Sequence, residues 1–390
     1  MSAPCAVCGA ATEVIYRSEQ GQALTSLCTL LDQPTEVTAC RSCAHLQTPP
    51  IGDLEAYYAT AYRILLASEE EDQIYEVGDG AITYRAAHQA TTMLSRVDLP
   101  VGARVLDYGA AKGATMRRVR DARPDVSVHL FDVSDMYVEH WKALVEDDAW
   151  ATFETPRPWA GSFDLVASFF MLEHVEHPAE VVAALFALVR PGGSVHCVVP
   201  DPFVNVADLI VVDHTNHFTG PSLQRLFSDC GFDGVRVDGS AHTGAWVVTA
   251  RRPVVAEEHD AVLPSPSAVA EAFDRSTEVA SYWGSAREVV RRAEATALDD
   301  AGSGALAIYG AGFYGSFIRA NLRHPEAVVA YVDQSPHLIG TEHDGRPVVS
   351  PADLPSVVGH VIVGLNPLLA RSIIEEIPAW QDRDLHLHFL

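Results

Sequence analysis

The sequence predicts an α/β protein headed by a small cysteine-knuckle region, and three observations carry that expectation. Two Cys-x-x-Cys pairs, Cys5/Cys8 and Cys40/Cys43, stand near its start. From about residue 81 to residue 252, short apolar runs alternate with helix-period segments, as strands feeding helices do. The same alternation returns from residue 304 to residue 390. A length of 390 residues suits two or three domains at roughly 150 residues each, and 48% apolar residues supply an ample core.

Charge narrows the function classes. With 27 basic and 52 acidic side chains, the formal net charge is −25. A field of that sign repels phosphate backbones and anionic membrane surfaces, so neither a nucleic-acid nor a membrane partner is expected. The most apolar stretch, Leu165 to Leu172, is far shorter than the roughly 20 residues a bilayer crossing needs. The opening Met-Ser-Ala-Pro-Cys shows no basic region followed by an apolar run, so a cytoplasmic location is expected.

Four blocks follow in order. Residues 1–80 hold both cysteine pairs, strand-like runs such as Glu13–Arg17 and then a polar run of helical character. In residues 81–252, Arg104–Asp107, Val126–Asp132, Phe163–Phe169 and Ser194–Val199 read as buried parallel strands, because apolar residues run consecutively instead of alternating. Gly234–Arg252 reads as a strand, a turn around Ser240–Gly244 and a returning strand. Residues 253–303 are a helical linker: Pro264-Ser265-Pro266-Ser267 is a helix-start signal, with an interruption expected near Gly284. In residues 304–390, Ala305–Tyr309, Ala327–Asp333 and His360–Val363 are strand-like.

The seven cysteines are odd in number, which argues against a disulfide framework. Cys5/Cys8 and Cys40/Cys43 are separated by 31 residues. Two thiolates two residues apart on a tight turn reach one tetrahedral ion, and two such turns complete a four-sulfur zinc site. With no open position, that zinc is structural. Cys28 reads as core, and the sparse basic residues between the pairs make the ribbon a scaffold.

Two glycine-rich loops follow strands. In the first, Asp107-Tyr108-Gly109-Ala110-Ala111-Lys112-Gly113, small residues admit close approach of a ligand and the following helix offers free amides. Asp107 suits a cationic or amino-acid ligand better than a pyrophosphate. Asp132 lies 19 residues past Gly113, where a carboxylate accepts both ribose hydroxyls of an adenosine. The second loop is Gly310-Ala311-Gly312-Phe313-Tyr314-Gly315, with Asp333 18 residues beyond, and taken locally it fits a dinucleotide fingerprint better.

Together with Ser162-Phe163-Asp164-Leu165-Val166, Met171-Leu172-Glu173-His174-Val175 and Leu188-Val189-Arg190-Pro191-Gly192-Gly193-Ser194, the first loop resembles class I S-adenosylmethionine-dependent methyltransferases, over about 150 residues. The resemblance implies a Rossmann-like core in which Asp107, Gly109 and Gly113 border the methionine part of S-adenosylmethionine and Asp132 holds its ribose. Ala111 stands where that family usually has glycine.

The full order, a zinc-ribbon-like domain, a methyltransferase core and a small Rossmann-like C-terminal domain, resembles the zinc-containing C-methyltransferases that act on nucleotide-linked keto-deoxysugars. That resemblance implies a nucleotide-sugar partner, with Gly310, Gly312, Gly315 and Asp333 helping to hold it. It also implies that His214, in Asp213-His214-Thr215-Asn216-His217-Phe218-Thr219, removes an α-proton beside a ketone. Asp213 then supports His214 or contacts the sugar, where glutamate would be usual. His174 falls where a second histidine stabilises a developing oxyanion, and Tyr62 or Tyr75 is the candidate for an N-terminal tyrosine over the site. His217 and His177 read as surface or packing residues. Oxygen or nitrogen methylation, an NAD-linked oxidoreductase using Gly310–Gly315 and a non-catalytic zinc scaffold stay open as alternatives.

Overall fold

The computed structural model describes residues 3–19, 21–52, 74–78, 81–255, 262–300 and 305–390. It divides into two compact units. The first comprises Met1–Glu13, Ala39–Pro202 and His214–Phe273, and the second Val14–Thr38, Phe203–Asp213 and Asp274–Leu390. No helix among the described residues is long and apolar enough to cross a membrane.

The first unit is built on strands β1 (Arg104–Tyr108), β2 (Ser127–Asp132), β3 (Trp150–Thr152), β4 (Phe163–Phe169), β5 (Val189–Pro200), β6 (Asp233–His242) and β7 (Ala245–Arg251). Their order is β3-β2-β1-β4-β5-β7-β6. The first five neighbours pair parallel, and β7 runs antiparallel between β5 and β6. Consecutive residues of these strands serve opposite faces. Leu106, Phe131 and Val166 join one apolar cluster, while Val105, Leu130, Leu165 and Ala167 join another. A sheet covered on both sides explains why the strands read as unbroken apolar runs.

The helices that cover it are α1 (Arg85–Arg96), α2 (Ala114–Ala122), α3 (Pro178–Leu188) and α4 (Gly220–Asp229). Thr219 caps α4 reciprocally with Ser222, and Trp159, Val182, Leu185, Leu223 and Phe227 fill the cluster that also holds Cys5, Cys40 and Cys43. Strand β5 starts five residues before the expected Ser194, because Val189 to Gly193 continue the strand instead of turning. The β6–β7 reversal is tighter than expected and rests on Thr243 and Gly244, whose φ is +75°. The expected polar helix of the first block lies mostly outside the described residues; its end, Ile74–Gly78, is a strand paired with Ala81–Tyr84.

Helix α5 runs unbroken over Pro266–Asp299, so the interruption expected near Gly284 does not occur. Its start follows the sequence signal: Ser265 Oγ accepts the Ala268 amide at 3.2 Å, with Pro266 in the first turn. A glycine costs a helix roughly 1 kcal/mol. Here the buried stripe Ala272, Ser276, Ala280, Trp283, Ala286, Val290 and Ala293 keeps its three-to-four spacing straight through, and that burial outweighs the cost.

In the second unit, β8 (Ala305–Tyr309), β9 (Val328–Val332), β10 (Glu342–His343), β11 (Arg346–Val349), β12 (Val358–Val363) and β13 (His386–Phe389) form a sheet ordered β10-β11-β9-β8-β12-β13. All neighbours pair parallel except β10 with β11. Helix α6 (Phe313–Asn321) follows β8 and α7 (Ala370–Glu375) follows β12. Trp283 of α5 is fully buried in this unit and donates its indole N–H to the Val206 carbonyl at 2.9 Å.

The second glycine loop shows why its glycines differ. A Cβ on Gly315 would sit 2.0 Å from the Gly310 carbonyl oxygen, and one on Gly310 2.3 Å from that of Gly364. Around Gly312 nothing lies within 4 Å. Gly315→Ala is therefore expected to lower the unfolding free energy, read from the urea midpoint, by about 1–3 kcal/mol through overpacking, and Gly312→Ala to leave it within about 0.5 kcal/mol. Equal midpoints for the two variants contradict this packing.

Candidate active site

The strand order of the first sheet reverses between β1 and β4, and ligands of open α/β sheets bind outside the carboxyl ends of the strands at such a point. There the loop 108–113 leaves β1 and enters α2. Gly109 (φ +84°) and Gly113 (φ +69°) take left-handed backbone, and Gly109 also has no room for a side chain, since a Cβ would meet Met171 Cγ at 2.7 Å. Ala111 too is left-handed, at φ +42°, which gives a physical reason for glycine to be usual there. Its amide donates to Asp132 Oδ2 at 3.0 Å, and its carbonyl accepts the Trp141 indole N–H at 2.6 Å. Asp132 Oδ1 accepts the Ser134 amide at 3.2 Å.

Asp107 ends the interior of β1, 3% exposed, and its Oδ1 has no hydrogen-bond partner among the described residues. Burial, reinforced by the nearby Asp132 carboxylate, pushes its pKa up to about 8. Burial likewise raises Asp132. The structure thus brings Asp107, Gly109, Ala111, Gly113 and Asp132 together at the strand-order switch point, where Asp107 Oδ1 is left unsatisfied.

Met171, which packs on Gly109, opens the segment that carries Glu173 and His174. The His174 and His214 rings meet edge to face, 4.7 Å between centroids at 85°. The chain around His214 is fastened on two sides. Towards the segment after β4, Thr215 Oγ1 and Asn216 Nδ2 donate to the Val175 carbonyl at 2.8 and 2.6 Å. Towards the second knuckle, Asn216–His217 pairs antiparallel with Leu46–Gln47. The Thr48 amide donates to the Thr215 carbonyl at 3.1 Å, and Thr219 Oγ1 to the Ala44 carbonyl at 3.1 Å. Buried His45, held near pKa 4 by desolvation, uses Nε2 with Asn216 Oδ1 at 3.0 Å. His217 is fully buried and shares a 2.9 Å hydrogen bond with Thr48.

In the knuckles, one sulfur from each of Cys5, Cys8, Cys40 and Cys43 lies within 4.8 Å of the others. The Sγ–Sγ distances are 3.6 Å for Cys5–Cys43 and 3.5 Å for Cys8–Cys40. A tetrahedral ion with bonds of about 2.3 Å to sulfur has edges of roughly 3.8 Å, so this thiol set fits zinc. Backbone turns brace both pairs, Gly9 N to Cys5 O and Ala44 N to Cys40 O at 2.8 Å each.

The remaining sequence candidates fall elsewhere. Asp213 belongs to the second unit, where its carboxylate accepts the Ser26 amide and hydroxyl at 2.6 Å each. Asp333 repeats the arrangement of Asp132: its Oδ2 accepts the Ala311 amide at 3.0 Å and its Oδ1 the Ser335 amide at 2.8 Å. Gly310 and Gly315 are demanded by packing, and Gly312 is the open one. Tyr62 lies outside the described residues. Tyr75 stacks on His88 at 3.8 Å, and its hydroxyl accepts the Thr243 amide at 2.9 Å. Met171, Trp141, Thr215, Asn216 and Ser26 carry no sequence signal of their roles, which arise only from contacts distant along the chain.

Residues 81–237 match the model of a family described as a methyltransferase domain. The ubiquinone biosynthesis O-methyltransferase of Aromatoleum aromaticum is 36% identical over 107 residues, covering 24% of this chain and 42% of the relative. That of Ralstonia nicotianae is 28% identical over 145 residues, 37% of this chain and 59% of the relative. The chain therefore spans about half the length of these relatives. Among solved structures, an O-methyltransferase family protein from Burkholderia thailandensis is 17% identical with a TM-score of 0.34, covering 43% of this chain and 57% of that one. Human N-acetylserotonin methyltransferase with its methyl donor is 15% identical with a TM-score of 0.36, covering 42% and 52%.

Protonation of Asp107 has a consequence for stability. Its folded-state pKa lies above the ordinary 3.8, so between about pH 4 and 8 the unfolded chain binds fewer protons and stability falls as pH rises. Asp107→Asn is expected to flatten that decline in urea unfolding measured at pH 5 and pH 8. An unchanged slope would contradict the buried acid.

Proposed function

We propose that residues 81–237, which match a methyltransferase-domain family, form a class I S-adenosylmethionine-dependent methyltransferase, and that the protein moves a methyl group from S-adenosylmethionine to an acceptor that surrenders a proton in the same reaction. The observation that carries this reading is the crevice at the β1–β4 switch point, with its unsatisfied Asp107 oxygen and its pre-oriented Asp132. Bound there, S-adenosylmethionine supplies an electrophilic methyl on a sulfonium. Asp107 meets the ammonium of the methionine part. Asp132, with one lone pair of each oxygen already held by the amides of Ala111 and Ser134, presents the others to the ribose hydroxyls.

His214 takes the acceptor proton, since a neutral imidazole serves as a base near neutral pH. His174, edge-on to it, faces the negative charge that develops on the acceptor oxygen. The four thiolates hold a structural zinc whose effect on catalysis is positional, because the second knuckle is bonded directly to the His214 segment. For the acceptor we favour a nucleotide-linked keto-deoxysugar, methylated at carbon through an enolate. The order of knuckles, methyltransferase domain and second glycine loop along the chain supports that choice. Methylation of an acceptor hydroxyl is the second reading, favoured by the ubiquinone O-methyltransferases among the relatives, and it uses the same base.

Incubation with an isotopically labelled methyl donor and a panel of keto-deoxysugar nucleotides and phenols, read by mass spectrometry, separates the two acceptors. His214→Ala is expected to lower turnover by about two to four powers of ten with donor affinity unchanged. Turnover at the wild-type rate would remove His214 from the reaction.

A further inference from the structure

We propose a second metal site in the second unit, built from Asp300, His360 and His386 and binding a divalent transition ion of the zinc type. One ligand atom from each of the three lies within 4.8 Å of the others. The placement comes from the sheet: β12 and β13 run parallel with His360 opposite His386, and residues opposite one another in register share a face. Their rings stack at 4.8 Å, and His388, two residues on and therefore on the same face, stacks on His360 at 5.5 Å. Asp300 follows the end of α5 and brings Oδ2 to 3.2 Å from His360 Nε2.

Two features favour a metal over a plain histidine–aspartate hydrogen bond. His360 is 1% exposed, and its other nitrogen, Nδ1, stands 3.2 Å from His388 Nε2. In the tautomer that donates Nδ1–H to His388, the Nε2 lone pair faces the Asp300 carboxylate, and an ion held between them satisfies both. A ligating imidazole is oriented in this way by a partner on its far nitrogen. The second feature is accessibility. Asp300 is 35% exposed at its side chain and His386 is exposed, so an ion has a path in and water can fill the remaining positions. Two imidazoles with one carboxylate suit zinc, nickel or copper, whereas calcium and magnesium prefer all-oxygen shells.

The test uses the full chain without a polyhistidine tag, stripped of metal and reloaded with Zn²⁺ or Co²⁺. Ions per chain are counted by elemental mass spectrometry after gel filtration. His386→Gln, at an exposed position, and His360→Gln are each expected to bind one ion fewer than the wild type. The thiolate-to-cobalt absorption of the cysteine site should be the same in all three proteins. The comparison between wild type and variant is independent of how full the cysteine site is. If the folded His386→Gln protein binds as many ions as the wild type, the three residues form a hydrogen-bonded cluster only and the proposal is overturned.

Discussion

A carboxylate at the end of a parallel strand, clamping the amide of the neighbouring glycine-rich loop, is the interaction on which this architecture depends. It occurs twice: Asp132 holds the Ala111 amide and Asp333 the Ala311 amide, both at 3.0 Å. In each case the second oxygen takes the amide two residues further along, that of Ser134 or Ser335. The clamp fixes a loop whose residues accept unfavourable backbone, Ala111 among them, and so shapes the mouth of the crevice before any ligand arrives. Pre-organisation of that kind reduces what binding must spend on ordering the loop. The overall field acts in the same direction for one class of ligand. A chain of net charge −25 draws in cations. An anionic acceptor has to be recognised by local dipoles against that field.

The second constraint is the attachment of the His214 segment. It has little regular structure of its own, two residues of strand, yet it is buried and bonded at Thr215, Asn216, His217 and Thr219. Each of the four also bonds to a knuckle residue, Ala44, His45 or Thr48, shortly after Cys43. The knuckle cysteines in turn belong to the same apolar cluster as Phe218, Leu223 and Phe227. On the proposed function, a tetrahedral ion at the four sulfurs would stiffen the chain that presents the candidate base, a mechanical part for a closed, chemically inert metal site.

What the sequence revealed follows from which interactions are local. Val105-Leu106 and Leu165-Val166-Ala167 read as buried strands because neighbouring residues serve opposite faces of a covered sheet. The cysteine spacing and the two loops were legible because a turn or a helix start places their groups within a few residues. Gly284 misled, since a local helix penalty was set against a stripe of buried side chains spanning both sides of it. The start of β5 at Val189, before the expected Ser194, was not legible because its first five residues include a proline and two glycines. The fastening of His214 was invisible for a different reason: Thr48 and His217 are 169 positions apart, and neither is unusual where it stands. At Gly315, the sequence shows only a loop glycine; the structure adds that a Cβ there would meet the Gly310 carbonyl oxygen at 2.0 Å.

The most direct test of the central claim is calorimetric titration of S-adenosylhomocysteine into the wild-type protein and into Asp132→Ala. Micromolar binding in the wild type that weakens at least about tenfold, or ~1.4 kcal/mol, in the variant is the result this account requires. Absence of binding to the wild type, or equal affinity in the folded variant, would show that the crevice at Asp107 and Asp132 is not where the donor sits.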